Sequence, residues 1–381
     1  MADANERQDE LAAALLERLV DNLVSSGTLR DTAVERAMRA VPRHIFLPVT
    51  SLDRAYRDIA VPTHLEAGIA VSSASQPSMV AIMLQQLDVA PGMRVLEVGA
   101  GTGYNAALLR ELVGADGTVV SIELDSAIAE EARAHLRAAG LPVEVVTGDG
   151  AGGWPASAPY DRIIVTAAAF DLSPAWVEQL AVSGKIVAPL VLNGIEASVV
   201  FARDGETLVS LSLAPCSFMR LRSSAGLVPV GASRAVSGEC AQTLAPRIAL
   251  LLAGRPRPHA VRRPLDDLKP WLGLAGVTPL TLWQMRQRGA RRPRVALWAD
   301  DASGPSLAVV SVIPQVTLVY GSEAFEHALA SAEEAQRVRP LPGVQQWAIR
   351  AWPTGQRVET PAGVAIIARP SYTYAIDSSA R

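Results

Sequence analysis

Three carboxylates and three glycines carry the first chemical signal in this chain of 381 residues. The glycines, Gly99, Gly101 and Gly103, alternate within Arg94-Val-Leu-Glu-Val-Gly-Ala-Gly-Thr-Gly103. Glu97 stands beside them, Glu123 closes the apolar run Val119-Val-Ser-Ile122, and Asp149 follows Val143-Glu-Val-Val146. Glycines at this spacing let a ligand lie directly against backbone. A dinucleotide site would ask for G-x-G-x-x-G, whereas here the third glycine comes one residue early and Tyr104 takes the last position. Three acids around one crevice repel a pyrophosphate and suit a cation. Glu123 also lies about twenty residues past the glycines, where an acid can take a ribose hydroxyl.

These residues need strands and helices to bring them together. Val95, Leu96 and Val98 form a short apolar run bounded by Pro91-Gly92, the pattern of a strand buried in a parallel sheet. Tyr104, Ala107, Leu108 and Leu112 then follow at helical spacing. Asp125-Ser126 opens a helix that Gly140 and Pro142 close. Asp161–Val165 and Lys185–Leu192 read as further strands, with a helix from Pro174 to Leu180 between them. Asp204-Gly205, between Ser198–Ala202 and Thr207–Leu213, is a hairpin signal. Ahead of the glycines, residues 9–24 and a segment opening at Asp31 are helical, and Tyr56 to Pro62 is a loop or edge strand. Ala70-Val-Ser-Ser-Ala-Ser-Gln-Pro-Ser78 precedes a helix over Met79–Leu87. By itself that serine run is ordinary capping and turn chemistry, with Ser75 or Ser78 as cap.

The combination of glycines and spaced acids resembles the S-adenosylmethionine site of class I methyltransferases. Five motifs narrow the likeness: Val41-Pro-Arg-His-x-Phe46, Ser73-Ala-Ser-Gln-Pro-Ser-Met-Val-Ala81, Val95 to Leu109, Gly148-Asp-Gly150, and Ala158-Pro-Tyr-Asp-Arg-Ile-Ile-Val-Thr-Ala-Ala-Ala169. Together they resemble the protein-L-isoaspartate O-methyltransferases over roughly residues 10–220. The resemblance implies a Rossmann-like α/β fold with a mostly parallel twisted sheet, S-adenosyl-L-methionine as donor and S-adenosyl-L-homocysteine as product, and no metal. It implies that Glu97 and the loop of Gly99, Gly101 and Gly103 hold the amino acid end of the donor, Glu123 its ribose and Asp149 its adenine. Leu124, Gly150, Thr166 and Ser75 join them against the donor. Ser73 and Ser75 match the two hydroxyl positions of the roof that contacts the acceptor carboxylate and are the catalytic candidates.

The sequence departs from the family pattern on the acceptor side. Val71-Ser72 replaces a Gly-Gln pair. Phe170 stands where a proline usually follows Thr-Ala-Ala-Ala. An Arg-Phe-Val-Pro-Leu ending becomes Pro215-Cys-Ser-Phe-Met-Arg-Leu-Arg222, and the chain runs on to residue 381. Three parts are expected: residues 1–88 as a helical and substrate-roof segment, 89–222 as the donor-binding core, and 223–381 as an added α+β domain. The last part shows strand-like segments at 295–298, 307–312, 316–320, 346–352 and 364–368, and a helix over 323–336. Its Pro/Arg-rich run 253–264, followed by Arg286, Arg288, Arg291, Arg292 and Arg294, is either an ordinary solvated face or a dock for an acidic peptide.

Composition sets outer bounds. Hydrophobic residues make up 49% and charged residues 19%, enough apolar content for a large core. A net charge of −3 gives no electrostatic case for nucleic acid. No uncharged apolar stretch reaches membrane-spanning length. The acidic start has no signal-peptide pattern, and two cysteines, Cys216 and Cys240, argue against a disulfide framework. A cytoplasmic enzyme with a peptide substrate is expected, without nucleic-acid or membrane partners. His44, His64, His135, His259 and His327 are scattered, and none is needed as a base, because a carboxylate acceptor is already ionised at neutral pH. The altered acceptor side and the added region resemble the extended homologues that accompany lanthipeptides and other ribosomal natural products. That likeness implies methylation of one aspartate in a precursor peptide, leading through a succinimide to aspartimide or isoaspartate. The alternatives are general repair of isoaspartyl damage and a non-catalytic donor-binding scaffold.

Overall fold

A computed structural model describes residues 2–66, 69–192, 195–222, 236–238, 257–260, 272, 278–283, 293–310, 316–338, 344–356, 358 and 364–377. The chain begins with two helices, α1 (Ala2–Ser25) and α2 (Thr32–Ala40), and a single helical turn, α3 (Leu52–Ala55). Leu15, Leu16, Leu19, Val20 and Leu23 of α1 are buried, as their helical spacing requires. Asp31 caps α2 by accepting the Ala33 and Val34 amides. A hairpin follows, β1 (Val61–Glu66) and β2 (Ile69–Ala74), as a separate two-stranded sheet. Helix α4 (Pro77–Leu87) leads into the main sheet.

The next elements alternate strand and helix: β3 (Arg94–Val98), α5 (Tyr104–Val113), β4 (Thr118–Glu123), α6 (Ser126–Ala138), β5 (Glu144–Thr147), β6 (Tyr160–Val165), α7 (Pro174–Glu178) and β7 (Leu180–Leu192). Strands β8 (Ile195–Asp204) and β9 (Thr207–Pro215) complete the first 222 residues. Strands β7, β6, β3, β4 and β5 lie side by side and parallel. The strand order reverses between β3 and β6. In an open α/β sheet, that reversal opens a crevice beyond the carboxyl ends of the strands. Val95, Leu96 and Val98 are buried because helices cover both faces here.

Beyond residue 222 the structure divides what the sequence suggested as one domain. Strands β10 (Val236–Gly238), β11 (Arg257–Ala260), β12 (Thr278–Trp283), β13 (Pro293–Asp301), β14 (Gly304–Val310) and β15 (Val316–Gly321) form an antiparallel sheet ordered β10-β12-β13-β14-β15-β11. Helix α8 (Ala324–Val338) belongs with it, and Phe325, Leu329 and Ala332 pack with Ala308 and Val319. The last strands, β16 (Ala348–Pro353), β17 (Ala365–Ala368) and β18 (Tyr372–Asp377), return to the main sheet. There β16 pairs with β9, giving ten strands in the order β17-β18-β16-β9-β8-β7-β6-β3-β4-β5. The sheet is therefore parallel from β5 to β7 and antiparallel from β7 outward. Trp347, Ile349, Tyr372, Tyr374 and Ile376 share one hydrophobic cluster with Trp176 and Leu180, so the chain's end is part of the first core. The run 253–264 lies mostly outside the described residues, as do Arg286, Arg288, Arg291, Arg292 and Cys240.

Candidate active site

The strand β3 ends in a turn that only a chain rich in glycine makes easily. Gly99, Gly101 and Gly103 have φ of +102°, +52° and +86°, values that side chains with a Cβ rarely adopt. The Gly99 and Ala100 amides both bond the Ile122 carbonyl, at 2.8 and 3.0 Å, which ties the turn to β4. A Cβ on Gly99 would stand 2.5 Å from Thr166 Oγ1, and that hydroxyl donates to the Gly99 carbonyl at 2.7 Å. A Cβ on Gly101 would reach 3.9 Å from Ser72 Oγ and from the Ser73 carbonyl. Loop and hairpin thus face each other closely across a gap. Gly103 serves packing instead: a Cβ there would press on Ala132 and Leu136 of α6. His135 of α6 bonds the Thr102 carbonyl at 2.9 Å and holds the loop from that side.

The gap is a cavity of about 570 Å³, within the range of small-molecule sites. Ser73, Ser75, Gly99, Gly101, Glu123, Leu124, Gly150 and Thr166 all line it, so eight of the sequence candidates meet at one surface. Glu123 is nearly buried. Its carboxylate accepts the Gly101 amide at 3.0 Å and the Asp125 amide at 3.2 Å. A carboxylate has about four acceptor positions, which leaves two for a vicinal diol. Among the described residues, neither the Ser73 nor the Ser75 hydroxyl has a protein partner.

The serines are unused because another residue caps α4. Asp58 accepts the Ser78 amide at 2.8 Å and the Gln76 side chain at 3.1 Å. The expected cap at Ser75 or Ser78 is therefore supplied from upstream. Arg43 supports the same segment from behind. Fully buried, it donates to the Ala55 carbonyl at 3.0 Å and to the Ser75 carbonyl at 2.9 Å, and its guanidinium lies 4.9 Å above the Tyr104 ring. Burial lowers its pKa from the ordinary arginine value. The sequence carried Arg43 only as part of a motif. Its role needs Ser75, 32 positions later.

Glu97, Gly103 and Asp149 stand behind the cavity surface rather than on it, unlike the expectation. Glu97 sits mid-sheet with no exposed surface. Its two oxygens accept the Ser121 hydroxyl, opposite it in register on β4, and Asn105 Nδ2 at 2.8 Å. Burial raises its pKa to about 7, against the lowering effect of those two bonds, and neighbouring Glu123 raises it further. It thus acts on the cavity through Asn105, which does line it. Asp149 caps a short 3-10 turn by accepting the Ala151 amide at 2.9 Å, and it is Gly150 that reaches the cavity. A Cβ on Gly150 would collide with Val98 Cγ1 at 2.4 Å, so the close approach of turn and strand requires glycine.

Another wall of the cavity is the segment Pro215–Arg222. Ala168 and this wall exchange backbone bonds, Ala168 N to Met219 O at 2.8 Å and Leu221 N to Ala168 O at 2.9 Å. Arg222 pairs with Glu66 of the hairpin at 3.7 Å, and Arg220 with Glu196 at 3.0 Å. Burial lifts the Cys216 thiol to about 12, which makes it a poor nucleophile. His44, His64 and His135 bond Tyr56, Glu131 and Thr102, and none lines the cavity.

A parallel sheet with its order reversed at β3, a glycine turn at that point and an acid ending the next strand define the class I S-adenosylmethionine-dependent methyltransferase fold. The cavity fits that donor. It offers glycine backbone for close approach and the Glu123 carboxylate for a diol. Comparison with known proteins then gives the family. Residues 14–225 match the model of the Protein-L-isoaspartate(D-aspartate) O-methyltransferase (PCMT) family, and the chain belongs to it. A protein-L-isoaspartate O-methyltransferase of Methanopyrus kandleri is 46% identical over 184 residues, 48% of this chain and 79% of that protein. One from Hyperthermus butylicus is 41% identical over 226 residues, 56% of this chain and 91% of its own length. A solved structure titled protein-L-isoaspartate O-methyltransferase, 23% identical with a TM-score of 0.54, covers 88% of this chain and 96% of its own. That likeness is one of fold, and it covers more of the chain than the family region does.

Proposed function

We propose that this enzyme methylates the free carboxylate of L-isoaspartyl residues in damaged proteins and peptides. The supporting observation is the pair of unpartnered hydroxyls, Ser73 and Ser75, on residues that line the same cavity as the glycine turn in a chain of this family. When bound, S-adenosylmethionine supplies a methyl group activated by its sulfonium charge. The chain's own contribution is positioning. A free α-carboxyl titrates near pH ~3.5, so the acceptor arrives as an anion and no side chain need remove a proton. Ser73 and Ser75 donate hydrogen bonds that orient it, Arg43 fixes the Ser75 backbone, and hairpin and wall exclude water. Glu123 and the glycine turn set the donor's position.

A second reading keeps the same chemistry and moves it to an aspartate side chain in a ribosomally made precursor peptide. The altered segment Pro215–Arg222 supports it, since those residues line the cavity. The extra C-terminal length supports it less, because a fold of similar extent occurs in a structure titled as an isoaspartate methyltransferase. A labelled methyl donor with two synthetic hexapeptides, identical except for Asp or isoAsp at one position, separates the readings. Base-labile label on the isoaspartyl peptide, lost by more than about tenfold in Ser75→Ala, is expected. Labelling of the aspartyl peptide with none on its isomer would sink the repair reading.

A further inference from the structure

The loop after β6 is held by the end of the chain. Asp171 has no exposed surface. Its carboxylate accepts the Ser371 amide at 2.6 Å and the Tyr374 hydroxyl at 2.7 Å. That hydroxyl in turn accepts the Leu172 amide at 2.8 Å. One residue earlier, the Arg369 guanidinium stacks 4.0 Å from the centre of the Phe170 ring and donates to the Val191 carbonyl at 3.3 Å. Phe170 is also where the sequence departs from the family's usual proline. The departure has a partner in Arg369, which lies outside residues 14–225.

This bracket sits directly behind the cavity. Thr166 and Ala167 line it, and Ala168 is bonded on both sides to the wall at Met219 and Leu221. Ala169 is laced to β7 through Pro189 and Val191. A shift at Phe170 or Asp171 therefore passes through two rigidly bonded residues into the wall. Buried charge-assisted bonds of this kind are strong and costly to leave unmade. Among the described residues, Arg220 and Arg222 at the wall's rim are tied by partly exposed ion pairs, which hold little.

We infer that Tyr374 and Arg369, on the returning strands, are positioning residues for the acceptor wall, acting through Asp171 and Phe170. Methyl transfer by this chain then depends on residues outside the family region, 14–225. The inference rests on the acceptor lying against Pro215–Arg222, as the proposed function has it, and its test reads the wall directly. In full-length protein carrying Cys240→Ser, Cys216 is the remaining one of two cysteines and reports the wall. Tyr374→Phe should raise the rate of Cys216 labelling by a small maleimide at least fivefold at 25 °C. It should also raise KM for an isoaspartyl peptide about tenfold and leave affinity for S-adenosylhomocysteine within twofold. A merely structural role would lower the melting temperature without moving the labelling rate well below it. If Tyr374→Phe fails to give native circular dichroism, Arg369→Gln, which leaves the Asp171 bonds in place, takes the same measurement. A labelling rate within twofold of the parent in the folded variant overturns the inference. A parent inactive on isoaspartyl peptide fails the functional reading alone, since the thiol rate still decides this one.

Discussion

The two sides of the cavity are built on different principles. The donor side is made by consecutive residues: a strand, a turn of glycines and a helix, with Glu123 arriving from the adjacent strand. Its geometry is set by backbone conformation and by bonds between neighbouring strands. The acceptor side, as we propose it, is assembled from five places far apart in sequence: Arg43, Ser73–Ser75, Ala167–Asp171, Pro215–Arg222 and Arg369–Tyr374. Donor chemistry is shared across a fold class, so a local, rigid solution serves. Acceptor chemistry varies, and long-range contacts can change one at a time.

Gly99→Val attacks the donor side where it is least adaptable. At φ +102° a β-branched residue is strained by about 1–3 kcal/mol. Its Cβ would also displace the Thr166 hydroxyl that bonds Val98 and Gly99. Affinity for S-adenosylhomocysteine should fall at least ~100-fold by calorimetry, about 2.7 kcal/mol, with the Cys216 labelling rate little changed. A loss below fivefold would mean the turn is not the rigid element.

Glu97→Gln probes the same side through pH. The folded pKa of Glu97 is about 7, raised from 4.5 by burial. The native state therefore holds a proton that the unfolded chain releases. The stability this contributes is fully present below pH 4.5 and is lost as pH rises through 7. The loss amounts to roughly 3 kcal/mol at ~1.4 kcal/mol per pKa unit. Glutamine has no such titration and keeps a partner for Ser121 and for Asn105. Urea melts at pH 5 and pH 8 should show the variant gaining on the parent by about that amount at the higher pH. Parallel pH curves would place the charge of Glu97 elsewhere than in the sheet.

The same contrast explains what was legible from sequence. Strands β3, β4, β6 and β7 and the helices between them could be read because apolar runs, glycines and caps are local signals. The burial of Glu97 was also legible: β3 is a central parallel strand, covered on both faces, so its acid reaches the cavity only through Asn105. The roof hairpin was missed. Its pairing carries two register shifts around His64, and serines that look like caps are relieved of capping by Asp58. Strand β18 was also missed. Tyr374 meets Asp171 across 203 positions, and no window of sequence contains both. The same contact argues against removing the whole expected third part, residues 223–381. Cutting at residue 225 removes Trp347, Tyr372, Tyr374 and Ile376 from the first core, each worth on the order of 1.5–3 kcal/mol if apolar burial is lost. An internal deletion of the second sheet is the cut that tests peptide docking.

Arg222→Ala should have the smallest effect, and for that reason it sharpens the comparison. The Arg222–Glu66 pair joins wall to hairpin at 3.7 Å, with both side chains substantially exposed. Exposed pairs contribute about 0.2–1 kcal/mol and are screened by salt. Donor affinity should stay within twofold, because Arg222 makes no bond to the glycine turn or to Glu123. KM for an isoaspartyl peptide should rise about two- to fivefold at low salt, and the difference from parent should shrink by 0.5 M NaCl. A donor-affinity change as large as the change in KM would show that hairpin and glycine turn move together, and the two sides would then have to be treated as one device.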